Sequence, residues 1–169
     1  LSYCQSYPGT NTFSNIKDVQ LVGDNFSINN NTSGICDDYE DYTSQFADLT
    51  QGQSYSISIS LGDCDGFNFP SGGYVYIDWN IDGDFLDPGE EIGSIPFGDT
   101  IANASVSLTF TVPSTSFFGA TRMRVMSQFS SQSNTLNMTA CDQGIYSPST
   151  SSYNEPWYGA TEDYSIVIN

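Results

Sequence analysis

Alternation of apolar and polar residues is the strongest pattern along the chain. Residues 55–61 read Tyr-Ser-Ile-Ser-Ile-Ser-Leu, and residues 104–112 alternate in the same way before Pro113. A period of two places successive side chains on opposite faces of a strand, so each segment predicts a half-buried β-strand. Further strands are predicted where β-branched and aromatic residues cluster: Val19–Val22, Phe26–Ile28, Gly73–Trp79, Arg122–Met126 and Tyr164–Ile168.

Helical patterns are missing from the sequence. No segment repeats apolar residues at helical spacing over about three turns, and the good helix formers are scarce. Gly, Ser, Asn and Asp fill the intervals between strands, as turn residues do. We therefore predict one all-β domain over residues 1–169, an antiparallel β-sandwich of jelly-roll type with long loops. Residues 127–156 are expected to form a long surface excursion.

The strong negative charge of the chain excludes some classes of binding partner. The 169 residues include 20 Asp and Glu but only three basic residues, which gives a formal net charge of −17 at pH 7. A chain without a basic stripe cannot hold a phosphate backbone, and an anionic membrane surface would repel it. No apolar run approaches the roughly 20 residues that span a bilayer. We expect neither nucleic-acid binding nor membrane insertion.

The chain contains no histidine. This absence removes the commonest general base, the usual ligand of zinc, and any Ser-His or Cys-His nucleophile. An enzyme would be left with carboxylate or metal-bound water chemistry, such as that of a glycosidase. Because no obvious acid/base pair stands out, we expect a non-catalytic protein.

An acidic loop over residues 78–91 is the clearest chemical feature. Oxygen-bearing side chains occupy every second position, and a glycine follows the third: Asp78, Asn80, Asp82, Gly83 and Asp84. Alternate side chains of a curled loop can point at one centre, and Ca²⁺ takes about six to eight oxygen ligands at about 2.3–2.6 Å. The glycine allows the positive φ that the curl needs. The sequence therefore predicts a calcium loop.

The residue that would close the calcium shell stays open at this point. In an EF-hand it is a Glu at loop position twelve, but here that position is Gly89 and the flanks are typical of strands. Asp87, Glu90 and Glu91 are the candidates. The alternative is an acidic hairpin with Asx-turns and no metal, but alternate ligands with a glycine favour calcium over it.

Two further acidic stretches lie beside strand-like residues. Asp38 and Asp41 belong to the first, and Glu162 and Asp163 form the second. Either stretch would assist the metal site or hold a second ion, and a satisfied polar turn is the alternative.

Arg122 and Arg124 are two of the three basic residues and are two positions apart, so they share one face of a strand. In so acidic a chain, we expect one of them to contact Glu162 or Asp163 in a bidentate, structural ion pair.

The chain has four cysteines and no C-x-x-C pair: Cys4, Cys36, Cys64 and Cys141. The missing pair argues against thiolate zinc and thioredoxin-like redox sites. An even number in a chain of this composition fits an extracytoplasmic protein with two disulfides. Four cysteines allow three connectivities, and the spacing does not choose among them.

Several short motifs occur in a fixed order along the chain. They are Tyr3-Cys4, Asn31-Thr-Ser33, Asp41-Tyr-Thr43, Gly52–Ile57, Ile77–Phe85 with Gly89-Glu90, Thr121–Val125 and Gly159-Ala-Thr-Glu-Asp-Tyr164. Together they resemble the GEVED domain, a module of secreted and cell-surface proteins of Bacteroidetes. The motif that names the family reads Gly-Ala-Thr-Glu-Asp here.

The resemblance implies a β-sandwich accessory domain of proteins exported by the type IX secretion system, with no enzymatic activity of its own. It maps the calcium loop onto residues 78–90. It also implies a bridge between Cys4 and Cys141, which leaves Cys36 to pair with Cys64. Asp99-Thr100-Ile101 resembles a Bacteroidetes O-glycosylation motif at Thr100, and an ordinary turn is the equal alternative.

Two functions follow as expectations. The first is an extracellular, calcium-stabilised adhesion module that binds a glycan or protein at the bacterial cell surface, with Tyr153, Trp157 and Tyr158 as candidate contact residues. The second is a structural subunit or stalk domain of an extracellular filament, which would self-assemble. A carboxylate-based glycosidase ranks last.

Overall fold

The computed structural model describes residues 1–6, 8–66, 69–96, 105–129, 138–141 and 158–169. In these ranges the chain forms nine strands and no helix, so they contain no helix able to cross a membrane. The strands are β1 (Asn15–Leu21), β2 (Ile28–Asn31), β3 (Tyr39–Leu49), β4 (Ser54–Gly62), β5 (Ser71–Ile77), β6 (Glu91–Ile95), β7 (Ser105–Thr111), β8 (Gly119–Phe129) and β9 (Gly159–Ile168).

The strands form two sheets with one apolar core between them. One sheet has the order β2-β1-β4-β7 and the other has the order β3-β9-β8-β5-β6. Alternate apolar residues of both sheets meet in the core and are fully buried, including Val19, Ile57, Ile59, Val75 and Val125. The predicted all-β sandwich is confirmed.

The five-stranded sheet is mixed. β3 runs parallel to β9, with Tyr39 opposite Thr161 and Leu49 opposite Ile168. This is the one parallel pair among the named strands; the other pairs are antiparallel, as predicted. β3 escapes the sequence pattern because its register shifts between Tyr42 and Phe46, which breaks the alternation of apolar and polar residues.

Other strand bounds also differ from the prediction. The second strand begins at Ile28 rather than Phe26, because the Phe26 N–H donates to the Asp48 carboxylate at 2.6 Å instead of joining a ladder. β6 has only five residues, too few for a clear period, and it was missed. β8 extends to Phe129, so the predicted surface excursion overlaps its last residues.

A disulfide holds the N-terminal segment over the outer face of the five-stranded sheet. Cys4 and Cys141 are bonded, with their Cα atoms 5.4 Å apart, although 137 positions separate them. Apolar side chains from the segments around Cys4 and Cys141 pack on this face in a second, smaller core, which includes Tyr76, Phe85 and Met126. The other bond joins Cys36 to Cys64. Both pairings are those implied by the family resemblance.

Candidate functional site

The acidic loop connects β5 to β6 at one end of the sandwich. Gly83 and Gly89 have φ angles of 98° and 95°, a region that glycine enters without strain. Ile81 also has a positive φ, of 56°, although it carries a branched side chain. The loop therefore curls tightly, as the sequence pattern required.

Asp78 lies beneath the loop and is fully buried. Its Oδ2 accepts hydrogen bonds from the Gly83 N–H at 3.1 Å and from the Tyr3 hydroxyl at 2.7 Å, and its Oδ1 accepts from the Asp82 N–H at 3.3 Å. This side chain fixes the curl from below. Tyr3 also ties the N-terminal segment to the loop, a role that the sequence analysis missed because nothing near Tyr3 in the sequence signals it.

Glu90 closes the loop from the other side and is 1% exposed. Its carboxylate accepts hydrogen bonds from the Trp79 N–H at 3.0 Å and the Asp87 N–H at 3.1 Å. Burial raises the pKa of Glu90 to about 7, and the nearby charges of Asp78 and Asp87 act in the same direction. Asp78 and Glu90 thus organise the loop backbone.

Three other carboxylates converge on the outside of the loop. One oxygen from each of Asp82, Asp84 and Asp87 lies within 4.8 Å of the others. Asn80 Nδ2 donates to Asp82 Oδ2 at 2.9 Å and to Asp87 Oδ2 at 2.6 Å. Among the described residues, no basic side chain forms an ion pair with these carboxylates.

This set of oxygen ligands fits a hard divalent cation. Ca²⁺ prefers carboxylate and amide oxygens, and close carboxylates repel one another unless a cation lies between them. The Asn80 amide now places its N–H groups against two of the carboxylates. Its Oδ1 accepts a hydrogen bond from the Asp82 N–H at 3.2 Å, and exchanging the oxygen and nitrogen of the amide would present Oδ1 to the carboxylates instead. Asp87 fits the closing position better than Glu91, which begins β6.

The two neighbours Glu162 and Asp163 point to opposite faces of β9. Asp163 lies on the outer face, where Arg124 donates to its two oxygens from Nε at 2.7 Å and from Nη2 at 2.8 Å. Arg122 Nη1 and the Tyr39 hydroxyl also donate to Asp163 Oδ2, at 3.1 and 3.0 Å. The geometry matches the expected bidentate ion pair.

Arg124 is 1% exposed, and its guanidinium group has further partners besides Asp163. Its Nη1 donates to the Ala140 carbonyl oxygen at 2.5 Å, and its guanidinium carbon lies 5.1 Å from the centre of the Phe85 ring. Ala140 precedes Cys141, which is bonded to Cys4. Arg124 therefore ties the disulfide-linked segments around Cys4 and Cys141 to the sheet.

Glu162 lies on the inner face, in the core. Its carboxylate accepts hydrogen bonds from the Thr32 hydroxyl at 2.9 Å and the Tyr164 hydroxyl at 2.6 Å. Glu40 is the residue opposite it on β3 and is also buried. Burial, with a further contribution from the carboxylate of Glu40, raises the pKa of Glu162 to about 8. Protonated Glu162 can donate to Glu40, whose Oε1 has no other donor among the described residues.

The two further acidic stretches, Asp38 with Asp41 and Glu162 with Asp163, therefore do not form one site. Asp41 accepts hydrogen bonds from the Thr43 N–H and hydroxyl, and hydrogen bonding to Thr43 lowers the pKa of Asp41. Asp38 is exposed, and Glu162 is separated from Asp163 by the sheet. Glu40, which the sequence analysis did not select, is the acid that faces Glu162.

Some predicted contact residues can be placed and others cannot. Tyr158 is buried, and its ring packs 5.8 Å from the ring of Phe13, so it lines the interior rather than an exposed binding face. Thr100, Tyr153 and Trp157 lie outside the described residues.

Comparison with family models decides the relationship suggested by these motifs. The model of the GEVED domain matches residues 72–167, which is more than half of the chain. The chain belongs to the GEVED domain family. The match covers β5 to β9, so it includes the acidic loop, both arginines and the Glu162-Asp163 motif of the GEVED domain. A search of curated proteins found no match.

Proposed function

We propose that this GEVED domain is an extracellular, calcium-stabilised adhesion module of a secreted bacterial surface protein, without catalytic activity. The observation that carries the calcium part is the convergence of Asp82, Asp84 and Asp87 within 4.8 Å without a basic partner among the described residues. A bound Ca²⁺ would neutralise these charges and rigidify the end of the sandwich.

An extracellular location is supported by the two disulfides, which persist in oxidising compartments. We propose export by the type IX system of a Bacteroidetes species, because the family resemblance points there. The acidic surface suits an environment rich in divalent cations and disfavours nucleic-acid and membrane partners.

A non-catalytic role is supported by the state of the carboxylates. Glycosidases need two accessible carboxyl groups flanking a substrate. The glutamates that lie opposite each other on β3 and β9, Glu40 and Glu162, are buried in the core and accept hydrogen bonds from tyrosine hydroxyls. Hydrolysis of any member of a polysaccharide panel by the pure domain would contradict this part of the proposal.

The alternative is a structural subunit or stalk domain of an extracellular filament. Exposed apolar side chains favour it, since Phe117, Phe118 and Leu86 are 59%, 69% and 77% exposed. Contiguous exposed apolar residues mark interaction surfaces, and Phe117 and Phe118 are neighbours in the chain.

A glycan array, probed with the domain in millimolar Ca²⁺ and again in EDTA, separates the two functions. The adhesion proposal predicts saturable binding to a defined set of glycans that weakens in EDTA. Filaments seen by negative-stain microscopy, with no binding to any glycan or surface protein, would contradict it and support the structural alternative.

A further inference from the structure

A cavity opens on the outer face of the five-stranded sheet, apart from the acidic loop. Its volume is about 430 Å³, within the range of small-molecule sites. The N-terminal segment, the beginning of β3 and the arginine face of β8 line it; the residues that matter for its chemistry are Tyr3, Asp38, Tyr39, Arg122 and Arg124. Two of the three basic residues of the chain therefore meet in one cavity.

The two arginines of this cavity are not equivalent. Arg124 is buried and its donors are taken by Asp163 and the Ala140 carbonyl oxygen. The side chain of Arg122 is 25% exposed and gives one N–H to Asp163 at 3.1 Å. A guanidinium has five N–H donors, so most donors of Arg122 have no partner among the described residues.

Arg122 keeps N–H donors that no carboxylate contacts, although the carboxylates of Asp38 and Asp163 balance the formal charge of the two arginines. Two guanidinium groups share a single carboxylate, that of Asp163, and no other described acid lies within 4.0 Å of them. Asp38 also lines the cavity, but it forms no ion pair with either arginine. An anion placed against the free edge of Arg122 would complete the pairing, and a planar carboxylate suits the fork of N–H donors.

Aromatic faces flank this cation. The guanidinium carbon of Arg122 lies 4.6 Å from the centre of the Tyr3 ring, which holds the side chain in position. Tyr39 is 39% exposed, and its hydroxyl is directed to Asp163, so its ring remains available at the cavity. An exposed ring beside polar groups suits a sugar, whose apolar C–H face packs on aromatic rings while its hydroxyl groups bond to polar neighbours.

We propose that the cavity binds the carboxylate of a uronic acid in an acidic glycan, with Arg122 as the cation that recognises it. This inference rests on the proposed adhesion function and names the chemical class of its ligand. The net charge of −17 disfavours anions in general, and Lys17, the basic residue outside the cavity, is only 9% exposed, so we expect binding of an acidic sugar to depend on this cavity.

The test is a titration with glucuronic acid and galacturonic acid, with glucose and galactose as the neutral counterparts. Binding is measured by saturation-transfer difference NMR in about 0.15 M salt, where the Debye length of about 8 Å screens distant acids. We expect saturable binding of the uronic acids only. Arg122→Gln should weaken it at least about tenfold, because it removes the charged, bidentate contact.

Two matched variants sharpen the test. Lys17→Gln makes the same change in net charge on the other sheet and should leave binding unchanged, which shows that Arg122→Gln acts locally. Asp38→Asn removes a negative charge from the cavity and should strengthen binding a few-fold. The melting temperature of each variant shows that it is folded; in Arg122→Gln, Asp163 keeps Arg124 as its partner.

Several outcomes would overturn the proposal. Equal binding of neutral sugars, unchanged binding by Arg122→Gln, or weaker binding by Asp38→Asn would contradict recognition of a carboxylate. Equal binding of N-acetylglutamate would contradict a sugar ligand. If the array shows glycan binding but no uronic acid binds, the cavity assignment fails while the adhesion function stands.

Discussion

The Glu162-Asp163 motif of β9 and the loop between β5 and β6 are both acidic, but only the motif has its charges balanced by groups of the chain itself. In the sheet, Asp163 is paired with two arginines, and burial keeps Glu162 protonated beyond the usual pH range of a carboxylic acid. In the loop, Asp82, Asp84 and Asp87 face one another without a basic partner among the described residues.

The loop, and not the sheet, needs an external ion. The sheet satisfies its acids with groups that the chain itself supplies, so it needs no ion, and the acidic motif that names the family is structural in this chain. The loop has enough hydrogen bonds to fix its backbone but no charge to balance its carboxylates. Calcium is expected at the loop and not at the sheet.

The largest effect is expected from breaking the charge balance inside the sheet. Arg124→Met leaves Asp163 with only the partly exposed Arg122, and loss of one partner of a buried ion pair costs about 3–5 kcal/mol. Urea unfolding should therefore show a loss of about 3 kcal/mol or more in the free energy of unfolding.

Arg122→Met is the matched control for that experiment. It removes a single, longer hydrogen bond from a partly exposed side chain, so it should cost about 1 kcal/mol. The double variant Arg124→Met/Asp163→Leu removes both buried charges and should recover part of the loss. An effect of Arg124→Met no larger than that of Arg122→Met would contradict the structural role of the ion pair.

The raised pKa of Glu162 predicts that the stability of the fold depends on pH. The pKa of Glu162 is raised from 4.5 to about 8 in the folded chain, so the folded state binds more protons than the unfolded state between these values. Its contribution to stability should be fully present below about pH 4.5 and be lost as the pH rises to about 8, at no more than about 1.4 kcal/mol per pH unit.

Glu162→Gln should flatten this dependence, because the Gln side chain does not titrate and its amide can donate to Glu40 in place of the protonated acid. Glu91→Gln, the same change at an exposed position, should leave the slope unchanged. Unfolding free energies from pH 5 to pH 8 measure both. Equal slopes for the parent chain and Glu162→Gln would contradict a proton held by this pair.

Tyrosine variants test whether the two acidic regions differ in their response to calcium. Tyr3→Phe removes the hydrogen bond to Asp78 under the loop, and Tyr39→Phe removes the one to Asp163 in the sheet. Each should cost about 1.5 kcal/mol, as hydrogen bonds to charged groups do. Only Tyr3→Phe should weaken calcium binding in a calorimetric titration. Equal calcium affinities in the two variants would contradict the link between Tyr3 and the loop.

Much of this architecture could be predicted from the sequence because its signals are local. The alternation in β4 and β7, the spacing of acids in the loop and the glycine at position 83 each reflect a short-range geometric need. These patterns gave the fold class and the candidate ligands, with Asp87 among the candidates for the closing position.

Other features depend on distant contacts and left no local signal. β3 was missed because its parallel pairing with β9 joins segments far apart in sequence and carries a register shift. The burial of Asp78 by Tyr3, and of Glu162 opposite Glu40, depends on which segments cover each face of the sheet. Glu162 and Asp163 were grouped because the predicted strand began only at Tyr164; β9 begins at Gly159, so the two neighbours lie in the strand and point to opposite faces.

Calcium-dependent stability tests the central claim most directly. Melting temperatures are measured in EDTA and across a Ca²⁺ titration for the parent chain, Asp82→Asn and the control Asp18→Asn, which removes a carboxylate from β1. Extracellular calcium modules bind at about 10⁻⁴–10⁻³ M, and a tenfold excess over Kd stabilises by about 1.4 kcal/mol.

We predict that Ca²⁺ stabilises the parent chain and Asp18→Asn in this concentration range. Asp82→Asn should be at least as stable as the parent chain in EDTA, because one repelling charge is gone, and should lose most of the calcium response. Absence of a shift in the parent chain, or an equal shift in Asp82→Asn, would contradict a calcium site at this loop.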